Sequence, residues 1–215
     1  MTVEWLGRVP YRDAHARQLA RREAVIAGAE GAIWGLEHPP VITVGRRPVT
    51  DLDPDRVHAA GFELVATERG GLATCHEPGQ LVVYLIVDVR ERGVRALVEA
   101  VEDVVIVWLN ARDVRAGRRD GAPGVWVGRD KICAVGLHVS RGVTLHGLAL
   151  NLHNDKRGFG LVTPCGITDG GVVALRELDA AAPSPERAFR SLGPALARAL
   201  TLTGPLDICV GLAGT

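Results

Sequence analysis

Hydrophobic positions recur along this chain in distinct rhythms, and each rhythm predicts its own kind of element. Short apolar runs broken by turn formers read as strands. They are "VEWLG" near the start, "AIWGLE" and "VITVGRR" separated by Pro39-Pro40, which cannot carry a ladder, and "FELVA" at 62–66. "LVVYLIVDV" at 81–89 is apolar at odd and even positions alike, the pattern of a central strand covered on both faces. Helical spacing governs "PYRDAHARQLARREAVIAG", where Leu19, Ala20, Val25 and Ile26 recur, and also "RALVEAVEDVVIVWL". "PERAFRSLGPALARALTLTG" predicts a helix bent or broken at Pro194. "DPDRVHAAG" predicts a short helix with Asp53 as its cap, Pro54 in its first turn and Gly61 beyond its end. "GVWVGRDKICAVGLHVSRGVTLHGLALNL" predicts three strands, 124–127, 131–139 and 143–152, with hairpin turns at "GRD" and "SRG". No repeat or linker interrupts this order. Residues 1–215 are expected to form one α+β domain around a mixed β-sheet flanked by helices.

Charge narrows the function. Lys plus Arg and Asp plus Glu are both 25, so the formal net charge is +0, and a general nucleic-acid binder would carry a basic excess. "VRAGRRDG" (114–121) is the one local basic candidate and reads as a solvated loop. No apolar stretch is long enough to span a bilayer and no leader pattern opens the chain, so a cytoplasmic protein is expected. Cys75, Cys133, Cys165 and Cys209 are widely spaced, which suggests reduced thiols rather than a disulfide framework.

The stretch richest in special residues is "RGGLATCHEPGQLVVYLI" at 69–86. It leads into a strand rather than a helix and lacks Gly-Lys-Ser/Thr, which speaks against a phosphate loop. Ligand spacing speaks against zinc, since only Cys75 and His76 are close in sequence, and no metal or cofactor is expected. The third reading is a pocket floor served by a nucleophile from elsewhere. Cys133 alternates within a strand and reads as a core residue, and Cys75 points away from His76 if the segment is extended. Cys165, in "LVTPCGITDGG", follows an apolar run that ends at Pro164, and Gly166 permits an unusual turn there. It is a candidate nucleophile, with a buried structural thiol as the alternative. A thiol near its ordinary pKa is only a few per cent ionised at pH 7, so a nucleophilic Cys165 needs a cation or base, and Lys131 is the candidate.

Together these blocks resemble the lipoyl(octanoyl) transferases of protein lipoylation. The resemblance runs from "HPPVITVGRR" through "RGGLATCHEPGQLVVY" and "GVWVGRDKICAVGLHVSRGVTLHGLALNL" to "TPCGI". It implies the fold shared with biotin and lipoate protein ligases, and ATP-free transfer of an octanoyl or lipoyl group through a cysteine thioester. The implied donor is octanoyl-acyl carrier protein. The implied acceptors are lysines of lipoyl domains in 2-oxoacid dehydrogenase E2 subunits and in the glycine cleavage H protein. It places the acyl-accepting cysteine at Cys165 and its supporting lysine at Lys131, with His76 as an orienting or proton-handling group. Substrate lining is implied for Arg69, Gly70, Gly71, Leu72, Ala73, Thr74, Cys75 and His76, then Ala134, Val135 and Gly136, and Gly147, Leu148 and Ala149. The chain departs from the family pattern where it has Cys75 for an aromatic, commonly tyrosine, and Glu77 for glycine. It also reads "VVAL" (172–175) where a valine-threonine-serine-leucine string is common, so Val173 and Ala174 differ. Glu77 is expected in extended backbone, its carboxylate turned outward or paired with an arginine such as Arg69. Two other readings remain at this point: an ATP-dependent ligase of the same fold, and a non-catalytic acyl-binding module.

Overall fold

A computed structural model describes residues 1–47, 49, 52–162 and 170–201. Cys165 and Cys209 therefore lie outside the described residues.

The strands are β1 (Thr2–Arg8), β2 (Ala32–Glu37), β3 (Val41–Val44), β4 (Glu63–Ala66), β5 (Ala73–His76), β6 (Gln80–Ile86), β7 (Val125–Val127), β8 (Asp130–Ser140) and β9 (Val143–Asn151). The helices are α1 (Tyr11–Ile26), α2 (Pro54–Ala59), α3 (Val94–Asn110) and α4 (Pro185–Thr201). The main sheet is mixed, in the order β1-β2-β6-β9-β8-β7, with β1 and β2 parallel and the remaining neighbours antiparallel.

Central strand β6 shows why its pattern has no polar face. Leu81, Val83 and Leu85 enter a core shared with α3 and α4, through Leu97, Val104, Trp108, Phe189 and Leu192. Val82, Tyr84 and Ile86 enter a second core against Ala14 and Val25 of α1. Alternate residues of a strand point to opposite faces, so helices on both sides demand apolar residues at every position.

The break at Pro39-Pro40 does more than separate β2 from β3. It hands the chain to a second sheet, β4-β3-β5, which the apolar pattern did not distinguish from the first. β5 forms ahead of the apolar run of β6, where Thr74 and Cys75 pair with Thr43 and Ile42 of β3. Asp53 caps α2 as expected, its carboxylate accepting from the N–H groups of Asp55 and Arg56 at 2.9 and 3.3 Å.

Helix α4 is not broken at Pro194. Proline in a helix interior costs about 3 kcal/mol. Here it lies on the exposed face, where the carbonyl left unbonded can meet water. Ala188, Phe189 and Leu192 before it, and Ala195, Leu196 and Ala199 after it, are buried in one core, and that packing carries the helix through. Among the described residues, no helix is long and apolar enough to cross a membrane.

Candidate active site

A cavity of about 550 Å³ opens between the two sheets. That lies within the usual size of a small-molecule site. One wall is strand, with Val82 of β6, Ala134 through Leu137 of β8 and Gly147 through Ala149 of β9. The opposite wall is the loop Arg69–Leu72 with Thr74 and His76 of β5. Gly71 takes φ +89°, open to glycine at little cost, and the N–H of Gly70 donates to the carbonyl of Leu137 at 3.2 Å, which pins the loop to β8.

Of the residues singled out from the sequence, Ala73 and Cys75 do not line this cavity. They share the other face of β5 and pack with Ile42, Phe62 and Val162. Burial pushes the Cys75 thiol up, and the nearby Glu77 charge adds to the effect. Cys133 is a core residue whose thiol burial pushes up to about 12, with Lys131 acting the other way.

Lys131 is buried in the cavity wall. Its Nζ donates to the Pro123 carbonyl at 2.9 Å and sits 4.7 Å from the centre of the Trp126 ring. Its backbone N–H donates to Gly171 O at 2.9 Å, and Val173 N–H donates back to Lys131 O at 3.1 Å, forming a parallel bridge. Residues 171–173, which follow Cys165 in the sequence, thus run beside Lys131.

His76 belongs to a buried ring network. Gln80 Nε2 donates to Cys75 O and Asn151 Oδ1 at 3.2 and 2.9 Å, which turns Gln80 Oε1 toward His76 Nδ1 at 2.8 Å. Nδ1 therefore carries the proton, and Nε2 is an acceptor. Burial brings the imidazole down to about 3, with the adjacent His38 contributing, so the ring is neutral at physiological pH. His38 donates from Nδ1 to Val9 O at 2.6 Å and accepts from the Tyr84 hydroxyl at 2.7 Å, and burial lowers it to about 4. The ring of Tyr11 stacks on that of His76 at 6.4 Å.

Glu77 pairs with an arginine, as one of its two expected arrangements had it, but the arginine is Arg157. The Glu77 backbone is outside the positive-φ region, as expected, but the carboxylate is buried rather than outward. Its neighbours are Asn154 Nδ2 at 3.4 Å and Arg157 Nε at 4.0 Å, not Arg69. The Arg69 guanidinium instead donates to Thr43 Oγ1 and to the carbonyls of Thr43 and Gly70.

Sequence reasoning missed other lining residues: Tyr11, Tyr84, His146 and the turn Arg119–Pro123. The last overlaps the segment 114–121 that read as a solvated basic loop. Arg118 anchors it by ion pairs to Glu102 at 2.8 Å and Asp103 at 2.9 Å of α3. The buried charge of Glu102, which also accepts from Gly124 N–H at 2.7 Å, was the available signal in the apolar run "VEDVVIVWL".

Residues 10–196 match the family model described as the lipoyl protein ligase A/B catalytic domain. The chain belongs to that family. An octanoyltransferase of Nitratidesulfovibrio vulgaris is 43% identical over 185 residues, covering 83% of this chain and 84% of that one. One from Thiobacillus denitrificans is 41% identical over 202 residues, 93% of this chain and 91% of its own. Among solved structures, a lipoate-protein ligase A bound with ATP superposes with a TM-score of 0.73 at 18% identity, covering 93% of this chain and 86% of that one. The biotin protein ligase of Aquifex aeolicus in complex with biotin and ATP gives 0.57 at 12% identity, covering 93% and 70%. These distant matches establish the lipoate and biotin ligase fold, a mixed sheet flanked by helices.

Proposed function

We propose that this chain transfers an octanoyl or lipoyl group from acyl carrier protein to a lysine of a lipoyl domain, through a thioester on Cys165 and without ATP. The observation that carries the reading is the cavity itself, apolar along β6, β8 and β9, with Lys131 in its wall beside residues 171–173, which follow Cys165 in the sequence. Relatives 41–43% identical over most of the chain carry the name octanoyltransferase.

In the first half-reaction the Cys165 thiolate attacks the thioester carbonyl carbon of the acylated carrier. The carrier thiolate leaves and takes up a proton. In the second, the neutral amine of the acceptor lysine attacks the acyl-enzyme, loses a proton, and expels the Cys165 thiolate. Lys131 as ammonium, held by Pro123 O and the Trp126 face, favours the thiolate at each stage. His76 is neutral and offers Nε2 as an acceptor, so it orients rather than donates a proton. The strand wall receives the hydrocarbon chain, at about 0.8 kcal/mol per buried CH₂. Acceptors of this kind include lipoyl domains of 2-oxoacid dehydrogenase E2 subunits and the glycine cleavage H protein.

Intact-mass measurement after mixing with octanoyl-acyl carrier protein tests the reading. One added octanoyl group, discharged by a lipoyl domain, is expected. Absence of the adduct, or adenylate formation from ATP and free octanoate, would overturn it.

A further inference from the structure

A cluster at the edge of the cavity, whose His146 also lines it, is given no step in the proposed transfer. His15 projects from α1, Glu68 from the loop between β4 and β5, and His146 from β9. His15 Nε2 is 2.8 Å from Glu68 Oε1, and that oxygen is 3.6 Å from His146 Nε2. The three ligand atoms all lie within 4.8 Å of one another. The two imidazoles stand face to face, 5 degrees from parallel with centroids 5.7 Å apart.

His146 is built into this position at a cost. It takes φ +64° within a strand, a region that a residue with a Cβ adopts only under strain. Its N–H donates to the Gln18 side chain of α1 at 2.7 Å, which helps hold it there. The ring is 3% exposed, and Nε2 has no partner within hydrogen-bond distance. A buried polar atom left unpaired calls for an explanation, and an absent ligand is one.

We propose that His15, Glu68 and His146 form a binding site for a divalent transition-metal ion of the zinc class. Two imidazoles and a carboxylate are a donor set that zinc accepts, with a fourth position left for water. The Arg69 charge acts on His146 and works against a cation, and the ionised Glu68 offsets it. His15 and Glu68 are only partly covered, which leaves a path from solvent. Because Glu68 precedes Arg69, an ion here ties the cavity loop to α1 and β9 at once.

Cobalt(II) is the probe, added to full-length protein freed of metal by a chelator. The expected result is one equivalent bound with visible d–d absorption, displaced by Zn²⁺, and a Zn²⁺-dependent rise in Tm. His15→Ala, on a partly exposed helical face, should weaken binding at least tenfold and abolish the Tm response. Glu68→Gln should do the same, which guards against a single misfolded variant. No cobalt spectrum in the wild type, or a loss under tenfold in His15→Ala, overturns the site. So does thiolate-to-cobalt charge-transfer absorption, which would place the ion on a cysteine.

Discussion

The backbone N–H of Lys131 donates to the carbonyl oxygen of Gly171 at 2.9 Å, so β8 and the segment after Cys165 are stitched together at the lysine itself. In the proposed mechanism, the lysine and the nucleophile belong to two segments that main-chain pairing at residues 171–173 joins. Cys165→Ser should accept no octanoyl group. Lys131→Ala should slow acylation by roughly 10²- to 10⁴-fold, the range for loss of a positioned proton-handling group. Lys131→Arg separates the two possible roles, because arginine keeps the charge but does not deprotonate. Full activity in the arginine variant would make the role purely electrostatic. Normal single-turnover rates in both variants would remove Lys131 from the mechanism.

Cys75 is the residue that stands where the family pattern commonly has an aromatic, and its surroundings leave no room for one. A Cβ placed at Gly158 would fall on the Cys75 sulfur, and Phe62 closes the same space. Overpacking a core commonly costs about 1–3 kcal/mol. Cys75→Tyr should therefore lower Tm by several degrees, and native protein should leave Cys75 unlabelled by a thiol reagent that modifies it after unfolding. A tyrosine variant as stable as wild type would show that the 157–160 turn yields freely.

Glu77 has its carboxylate between Asn154 and Arg157, on the side of β5 away from the cavity loop. Glu77→Gly should thus leave the pH profile of acylation superimposable on that of wild type. It should lose stability, on the order of 1–3 kcal/mol, because a buried hydrogen-bonded group loses its partner. Denaturant titration reads the second effect. An acid-ward shift of the rate profile would mean that the carboxylate faces the reacting thiolate after all.

What the chain disclosed in advance was local. The two-faced apolar run of β6, the stop at Pro39-Pro40 and the Asp53 cap each follow from a few neighbouring residues. So does the opposition of Cys75 and His76, which alternation on an extended segment dictates. What stayed hidden was assembled across distance. The sulfur of Cys75 meets Gly158, and His15 meets Glu68 and His146, only after two sheets and α1 have packed. Ligand spacing in sequence cannot report such a cluster. Of the two outcomes expected at Pro194, the break does not occur: burial on both sides of the proline outweighs the local rule.

The buried ring network gives stability a pH dependence of definite sign. His38 and His76 are lowered by burial to about 4 and about 3, whereas an unfolded histidine titrates near 6.5. Their stabilising effect is present above pH 6.5. As pH falls below that value the unfolded chain binds protons that the native state does not, and stability drops until the native pKa values are reached. Each site approaches about 1.36 kcal/mol per pH unit once the unfolded histidine is mostly protonated, so the pair should remove roughly 3 kcal/mol between pH 6.5 and 5. That is a large share of the 5–15 kcal/mol typical of a domain. Carboxylates in the unfolded chain titrate lower, so the window between pH 5 and 6.5 isolates the histidines. Denaturant unfolding of the wild type and of His76→Gln should give slopes of stability against pH that differ by about one proton. Equal slopes would show that His76 takes up its proton without unfolding the protein, and that the floor of the cavity tolerates a charge.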